Sequence, residues 1–504
     1  MTDPTRVPVV IGVGDLRSGR AGAPADPREP LDLIHEATLA AIADSGADLA
    51  TRIDTIHAIK TASWNYDDLP GLLAERLGAT PEHTSTTPIG GHWPAALLDR
   101  IGHDIAAGTS TVALLVGGEA QASATNSYKA GTDPVTLGWT TAPGGPAPIS
   151  NEDLGSPAMQ RAGMIVPTRV YPLFENRLSH DLGHSREKSL DWSATLYAAF
   201  SEFAAENPAS WNPERRTADD IRTIAGKNRL VTDPYPLLVN AMPFVDQAAA
   251  VVVTSLAVAR ELGVPDDHLL YVWGGAGATE PSDVLARGDF GRSAALDDAL
   301  RRTLSATDLR PADFDIIDAY SCFPVVPKLL IEQLGLPRDT VPSVTGGHSF
   351  FGGPLNSYTL HSVVSVAKRL RQDGELALVH GNGGYLTYQH VVVLGCAPHT
   401  DGYVGDPEHV LLEPSAPETA TDYSGEVQIV TATAEFGRDG NPSVGFLVGL
   451  TPDGRRVSGQ TDATGAAVLA AGADIVGETV HVTDNGGTLT VTRIEHLSPE
   501  ESQS

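Results

Sequence analysis

Thr111-Val112-Ala113-Leu114-Leu115-Val116-Gly117-Gly118 decides how the chain is read: a continuous, almost wholly apolar run stopped by a double glycine. A short run of this kind reads as a strand buried on both faces. Upstream, Gly90-Gly91-His92-Trp93-Pro94 is a glycine turn that opens a helix. The same order recurs much later. Gly352-Gly353 opens a helix, Leu376-Ala377-Leu378-Val379 is an apolar strand, and Gly383-Gly384 closes it. The repeat predicts a duplicated α/β architecture. Working outward, Val9 to Gly14, Ile53 to Lys60, Ala248 to Val253, Leu269 to Val272, Phe314 to Ala319 and His390 to Leu394 read as strands. Pro30 to Ser45 and Ala294 to Ser305 read as helices between them. That alternation predicts a parallel sheet covered on both faces.

The halves fall at 1–120 and 236–400. Between them, 121–235 breaks the alternation. Residues 129–158 are rich in Gly, Pro, Thr and Ser, and Tyr171 to Leu182 and Ser189 to Asn207 are helical. This predicts an inserted loop and helical domain lying across the sheet. From about Pro407 the helical period is lost. Glu426 to Val430, Val444 to Leu450, Thr479 to Val482 and Thr488 to Val491 alternate as strands, and Asp484-Asn485-Gly486-Gly487 is a hairpin signal. Residues 410–504 are therefore expected to form a small, all-β, barrel-like domain. It is acidic, with 17 Asp and Glu against 4 Lys and Arg in 401–504. It is expected to fold by itself, so that a cut after Pro414 leaves a soluble core.

The 504 residues hold 34 Lys and Arg against 63 Asp and Glu, a net charge of −29, which argues against nucleic acid and anionic membranes as partners. No run of about 18 apolar residues is present, so no membrane span is expected. Met1 to Val10 lacks the pattern of a secretory leader. Cys322 and Cys396 are the only cysteines, too few for a disulfide framework or a four-cysteine zinc site. A cytoplasmic location is expected.

Four segments carry a resemblance when taken in order: Asn240-Ala241-Met242-Pro243-Phe244-Val245-Asp246-Gln247-Ala248-Ala249-Ala250, Tyr320-Ser321-Cys322-Phe323, Gly346 to Leu355, and Gly381-Asn382-Gly383-Gly384. Over about residues 5–398 they resemble the thiolase superfamily, and within it the sterol-carrier-type thiolases. With the C-terminal extension, the chain resembles actinobacterial thiolase-like proteins with an additional OB-like domain. The resemblance implies a duplicated thiolase fold in layers α-β-α-β-α, and coenzyme A or acyl-CoA as ligand rather than a tightly bound cofactor. It also implies a nucleophilic cysteine at a helix N-terminus, where the dipole and backbone N–H groups stabilise thiolate and oxyanion. This chain has Gly90 there. The activating histidine expected before Pro354 is Gly353, and the second cysteine expected near Val379 or His380 is absent.

What remains is a set of candidates: Cys322, His348, His92, Tyr320 and Tyr385 for chemistry, and Gly90, Gly91, Gly353, Asn382, Gly383 and Gly384 for holding a thioester. A neutral histidine can take a proton beside a thioester carbonyl that backbone N–H groups polarise. Each candidate also has a plainer reading, as a core side chain or a tight turn. Arg169, Arg177, Arg186 and Lys188 form a basic strip in the insertion, on the side where thiolases receive coenzyme A. The strip is either a phosphate contact or a solvated face. Gly274 to Thr279 falls short of a dinucleotide loop, and His380 and His390 lack partners at metal spacing. Three readings stay open: an acyl-CoA enzyme related to acetyl-CoA acetyltransferases that works without an acyl-cysteine, a non-catalytic acyl-CoA-binding or scaffold protein, and a retro-aldol lyase using Tyr320 and Tyr385. A homodimer is expected, paired through Thr111 to Val116 as an exposed edge strand.

Overall fold

The computed structural model describes residues 3–24, 26–148, 155–471, 474–486 and 488–493. Two sheet halves and three helix layers build the main body. In the first half, β1 (Pro8–Arg17), β2 (Thr55–Ala58), β3 (His83–Thr86), β4 (Val112–Ala120) and β5 (Asp246–Ser255) lie in the order β3-β2-β4-β5-β1. In the second, β6 (Leu270–Thr279), β7 (Ile316–Asp318), β8 (Leu376–Gly383) and β9 (Tyr388–Gly395) lie in the order β7-β8-β9-β6. The halves join by a short contact of β1 with β6 at Val9–Tyr271 and Val10–Leu270.

The sheet is mixed, which corrects the parallel expectation. β5 runs antiparallel to both β1 and β4, and β9 runs antiparallel to both β6 and β8. Among the nine strands of the two halves, parallel pairing joins β2 with β3 and β4, and β7 with β8. β5 also moves the boundary expected at 236, because this strand returns from beyond the insertion to complete the first half. An apolar run with small residues, Ala248-Ala249-Ala250-Val251-Val252-Val253, suits a central strand with helices on both faces.

α1 (Pro30–Ser45) covers the outer face of the first half, and its backbone touches the sheet. A Cβ on Gly12 would lie 2.1 Å from the Ala41 carbonyl oxygen, and one on Gly14 would lie 2.4 Å from that of Ala37. The glycines in β1 are thus what lets α1 seat. α2 (Trp93–Ala107) fills the space between the two halves, beside the late helix Tyr358–Leu370. One apolar cluster there joins Leu98, Ile101 and Ile105 of α2 to Val363 and Val366 of the late helix and to strands of both halves. The result is the expected α-β-α-β-α layering. No described helix is long and apolar enough to cross a membrane.

α3 (Gln121–Lys129), α4 (Pro167–Asp181) and α5 (Arg186–Glu206) build the insertion. At its heart Lys328, from the second half, is wholly buried with its ammonium 2.5 Å from the Glu175 carboxylate. Ser193 Oγ accepts from the same ammonium at 2.8 Å. Both charges are matched and bonded, the condition for burying an ion pair.

The C-terminal region begins with Asp406–Leu411, which pairs in parallel with β6 and so belongs to the main sheet. The following strands close a five-stranded barrel: 442–450 pairs with 456–461, 456–461 with 488–493, 488–493 with 479–484, 479–484 with 424–436, and 424–436 returns to 442–450. Gly487, in the expected hairpin turn, lies outside the described residues; the strands it joins do pair. A helix, Ala463–Ala470, packs on the barrel where none was expected.

The barrel is tied to the insertion rather than merely appended. Arg169 meets Glu435 at 2.6 Å, Thr431 donates to the Leu173 carbonyl at 2.6 Å, and Asn176 donates to the Ala432 carbonyl at 2.8 Å. Arg456, fully buried, donates to the backbone carbonyls of Leu285 and Arg287. Phe446 and Val448 join the insertion's own apolar core. This contact argues against a module that separates cleanly from the body. It also answers the dimer argument in part: Thr111 to Val116 is interior, and the free edge of this half is β3, whose four residues His83-Thr84-Ser85-Thr86 are polar and exposed.

Two outcomes follow. Cutting after Pro414 strips the barrel from the Leu173–Phe174 face and yields an aggregating core; a soluble core with a two-state melt would refute the contact. Arg456→Ala leaves two buried carbonyls without their donor and lowers unfolding free energy by about 2–3 kcal/mol in denaturant titration.

Candidate functional site

Two glycine loops and one histidine loop converge where the halves face the insertion. Ile89, Gly90 and Gly91 stand at the start of α2, and Asn382, Gly383 and Gly384 at the end of β8. Tyr320 and Cys322 follow β7, and His348, Gly353 and Leu355 lie in the loop leading to the helix at Tyr358. Tyr171 of α4 closes the cavity from the insertion side, and Asn240, Ala241 and Pro243 from the segment before β5. The enclosed volume is about 380 Å³, walled mainly by apolar side chains and backbone.

The glycine approaches explain why these loops meet. A Cβ on Gly91 would lie 2.3 Å from the Tyr320 hydroxyl oxygen and 2.7 Å from the Asn382 carbonyl oxygen. At Gly90 the backbone takes φ +156°, and a Cβ would lie 2.7 Å from the His92 ring. Leu355 holds φ +44°, costly for a branched side chain and a sign of backbone strain at the wall.

Nine of the expected site residues share this wall: Gly90, Gly91, Tyr320, Cys322, His348, Gly353, Asn382, Gly383 and Gly384. The others are placed elsewhere. His92 lies behind the wall, stacked on Tyr388 with ring centroids 4.8 Å apart. Its pKa falls well below the usual value through burial, with His409 and His390 adding to the fall. Tyr385 turns away and donates to the Ile165 carbonyl at 2.8 Å, so it forms no pair with Tyr320 across the cavity.

The basic strip is spent on the fold. Arg169 is bound to Glu435, Arg177 to Asp181 at 2.9 Å, and Arg186 to Asp233 at 2.7 Å; Lys188 is exposed. Three of these four cations are ion-paired, Arg169 to the barrel, Arg177 along its own helix and Arg186 within the insertion, so the strip is not an open row of free charges.

The hydrogen bonds orient the wall. Gly90 N–H donates to Asn356 Oδ1 at 2.9 Å, and Gly353 N–H to the Met242 carbonyl at 2.8 Å, so neither is open to a ligand. Gly91 N–H has no acceptor among the described residues. Behind Asn382 runs a chain. His380 Nε2 lies 2.7 Å from Gln389 Oε1, and Gln389 Nε2 donates to Asn382 Oδ1 at 2.7 Å. With its oxygen engaged, Asn382 presents Nδ2 to the Tyr171 hydroxyl at 3.0 Å, 4.0 Å from Cys322 Sγ. Tyr171 in turn donates to the Gly384 carbonyl at 2.7 Å.

Every titratable side chain on the wall is neutral near pH 7. Burial pushes the Cys322 thiol up to about 12 and lifts the Tyr171 and Tyr320 hydroxyls well above their usual values. Burial also drops His348 well below its usual value. The His348 ring stacks on Tyr358 at 3.5 Å with Nδ1 3.2 Å from Ser321 Oγ, and Nε2 is buried without a partner. The wall offers N–H, O–H and S–H groups and no formed charge. Tyr171, Asn356 and Gln389 escaped the sequence reading. Tyr171 looked like one more helix residue, and the two amides acquire meaning only through contacts spanning long stretches of chain.

Comparison with known proteins agrees with the architecture. Residues 407–487 match the thiolase-like protein type 1 additional C-terminal domain. An acetyl-CoA acetyltransferase of Methanothermobacter thermautotrophicus is 25% identical over 382 residues, 70% of this chain and 91% of that protein. A monomeric SCP2-thiolase like protein type 1 from Mycobacterium smegmatis superposes with TM-score 0.81 and 29% identity, over 98% of this chain and 100% of that one. The Ltp2-ChsH2(DUF35) aldolase superposes with TM-score 0.58 and 19% identity, over 78% of this chain and 99% of that one. The chain has the thiolase fold, extended by a region that matches the additional C-terminal domain of the type 1 thiolase-like proteins.

Proposed function

We propose that the chain binds an acyl-CoA thioester, with the acyl end in the cavity between the two glycine loops, and forms no acyl-enzyme. The observation that carries this reading is Gly90. The residue at the nucleophile's place has no side chain, and its backbone geometry and the His92 ring leave no room for one. The thiol that is on the wall, Cys322, is held protonated and is a poor nucleophile in that state. An uncharged cavity with apolar walls and a few fixed donors suits a neutral thioester and its chain. Asn382 Nδ2 and Gly91 N–H are the donors that would hold the thioester oxygen.

A second reading, proton transfer at the carbon beside the thioester carbonyl, draws on His348. Its ring is neutral and fixed by Ser321 and Tyr358, with Nε2 unbonded. The retro-aldol reading loses its acid–base pair, because Tyr385 is bonded away from the cavity.

For assembly, we read the chain as a monomer. The free edge of the first half is short and polar, which resists strand pairing, and the similar Mycobacterium smegmatis protein is described as monomeric. Light scattering is expected to return 52.8 kDa. Twice that mass would reinstate the dimer.

Calorimetry with an acyl-CoA series should show binding, with Asn382→Ala weaker by about fivefold to tenfold, the worth of one hydrogen bond. Mass spectrometry of the denatured protein after incubation should show no acyl adduct; a stable adduct on Cys322 defeats the reading. Gly90→Cys should fail to restore acyl transfer, since the new Cβ collides with His92. His348→Ala should keep binding, and if it abolishes solvent-deuterium exchange into the acyl group, the second reading holds.

Cys322 also gives a pH test. Thiolate is the reactive form, and a thiol at about 12 holds roughly a thousandfold less of it near neutral pH than one at its ordinary value. Iodoacetamide labelling of Cys322 should climb about tenfold per pH unit from 7 to 10. A plateau near 9 would show an unshifted thiol.

A further inference from the structure

A second cavity, of about 360 Å³, lies on the other side of the segment that closes the first. Asn240, Ala241 and Pro243 face the thioester cavity, whereas Met242 and Phe244 line the second. Its far wall comes from α3, through Thr125, Asn126 and Lys129, and its mouth from Arg20. Trp211 forms the floor. The indole is almost wholly buried, while Phe244 beside it leaves 53% of its surface open.

The charge pattern is unusual for this chain. In a protein of net charge −29, no carboxylate lines this cavity among the described residues. Most arginines elsewhere are ion-paired, yet neither Arg20 nor Lys129 meets a carboxylate among the described residues. Arg17 stands near enough to Arg20 that its own pKa is lowered, by burial first and by the Arg20 charge second. Both cations are exposed at the rim, free to meet an anion from solvent without giving up a protein carboxylate. The groove continues past Arg20 toward Glu214, whose carboxylate is paired with Arg216.

We propose that this cavity binds a small organic anion with a flat apolar body, its charge met by Arg20 and Lys129 and its ring laid on Phe244 over the buried edge of Trp211. An aromatic face supplies stacking area, and paired cations supply charge-assisted hydrogen bonds. The site is independent of the thioester reading and stands if that reading fails.

The test uses the full chain and anilinonaphthalenesulfonate, a flat ring system bearing one anionic group, followed by fluorescence. One saturable site is expected, weakened by added salt. Arg20→Glu with Lys129→Glu should weaken it by about tenfold or more, and Phe244→Ser by a similar factor. All three positions are exposed or rim residues, and unchanged melting temperatures confirm that the variants fold. Competition distinguishes the ligand sources: naphthoate displacing the dye marks an aryl acid, and adenosine monophosphate displacing it marks a nucleotide. Inorganic phosphate displacing the dye as well as either would show that the ring contributes nothing, and would overturn the proposal. So would an affinity unchanged by the double charge reversal, or no saturable binding.

Discussion

The two halves of the molecule meet backbone to backbone at a patch where no side chain fits. A Cβ on Gly381 would lie 2.9 Å from His92 Cα, and one on Gly383 would lie 2.4 Å from His92 Nδ1, while Gly91 is pressed against Tyr320 and Asn382. This contact sets the start of α2 against the end of β8 and fixes both glycine loops relative to each other. Everything on the cavity wall is hung from it. The histidine loop is tied through Asn356 to Gly90, and α4 through Tyr171 to Gly384. Packing at this range tolerates no extra methyl group, which is why glycine recurs at these positions.

The apolar runs and their double glycines made the layered α/β body legible, because buried strands leave continuous runs that no surface element can show. Strand direction was not legible in the same way. A run such as Ala248 to Val253 has no polarity that marks it as antiparallel, and its place inside the first half is set by topology. The barrel was legible as strands, through alternation, but its attachment was not. Arg456 and Phe446 look like ordinary strand residues until the second half is laid against Arg456 and the insertion against Phe446.

The site was legible in its glycines and in what was missing. The absent cysteine and histidine could be read directly, and nine expected wall residues do converge. Spacing alone could not separate Tyr320, on the wall, from Tyr385, bonded to Ile165. Nor could it show that the arginines of the insertion face carboxylates of the fold. Arg169 finds Glu435 across the barrel interface and Arg186 finds Asp233 at the far end of the insertion, partners that only the folded chain brings together.

The geometry at Gly90 acts as a ratchet on descent. With φ at +156° and the His92 ring 2.7 Å from any β-carbon, a side chain at this position would first need the turn to relax and the ring to leave. The ring is itself held by Tyr388 and packed near His409, so its release would disturb a second buried group. A lineage carrying this loop needs more than one change to seat a side chain at position 90. Variation along such a lineage falls more easily on the rest of the wall, where side chains already stand, than on position 90.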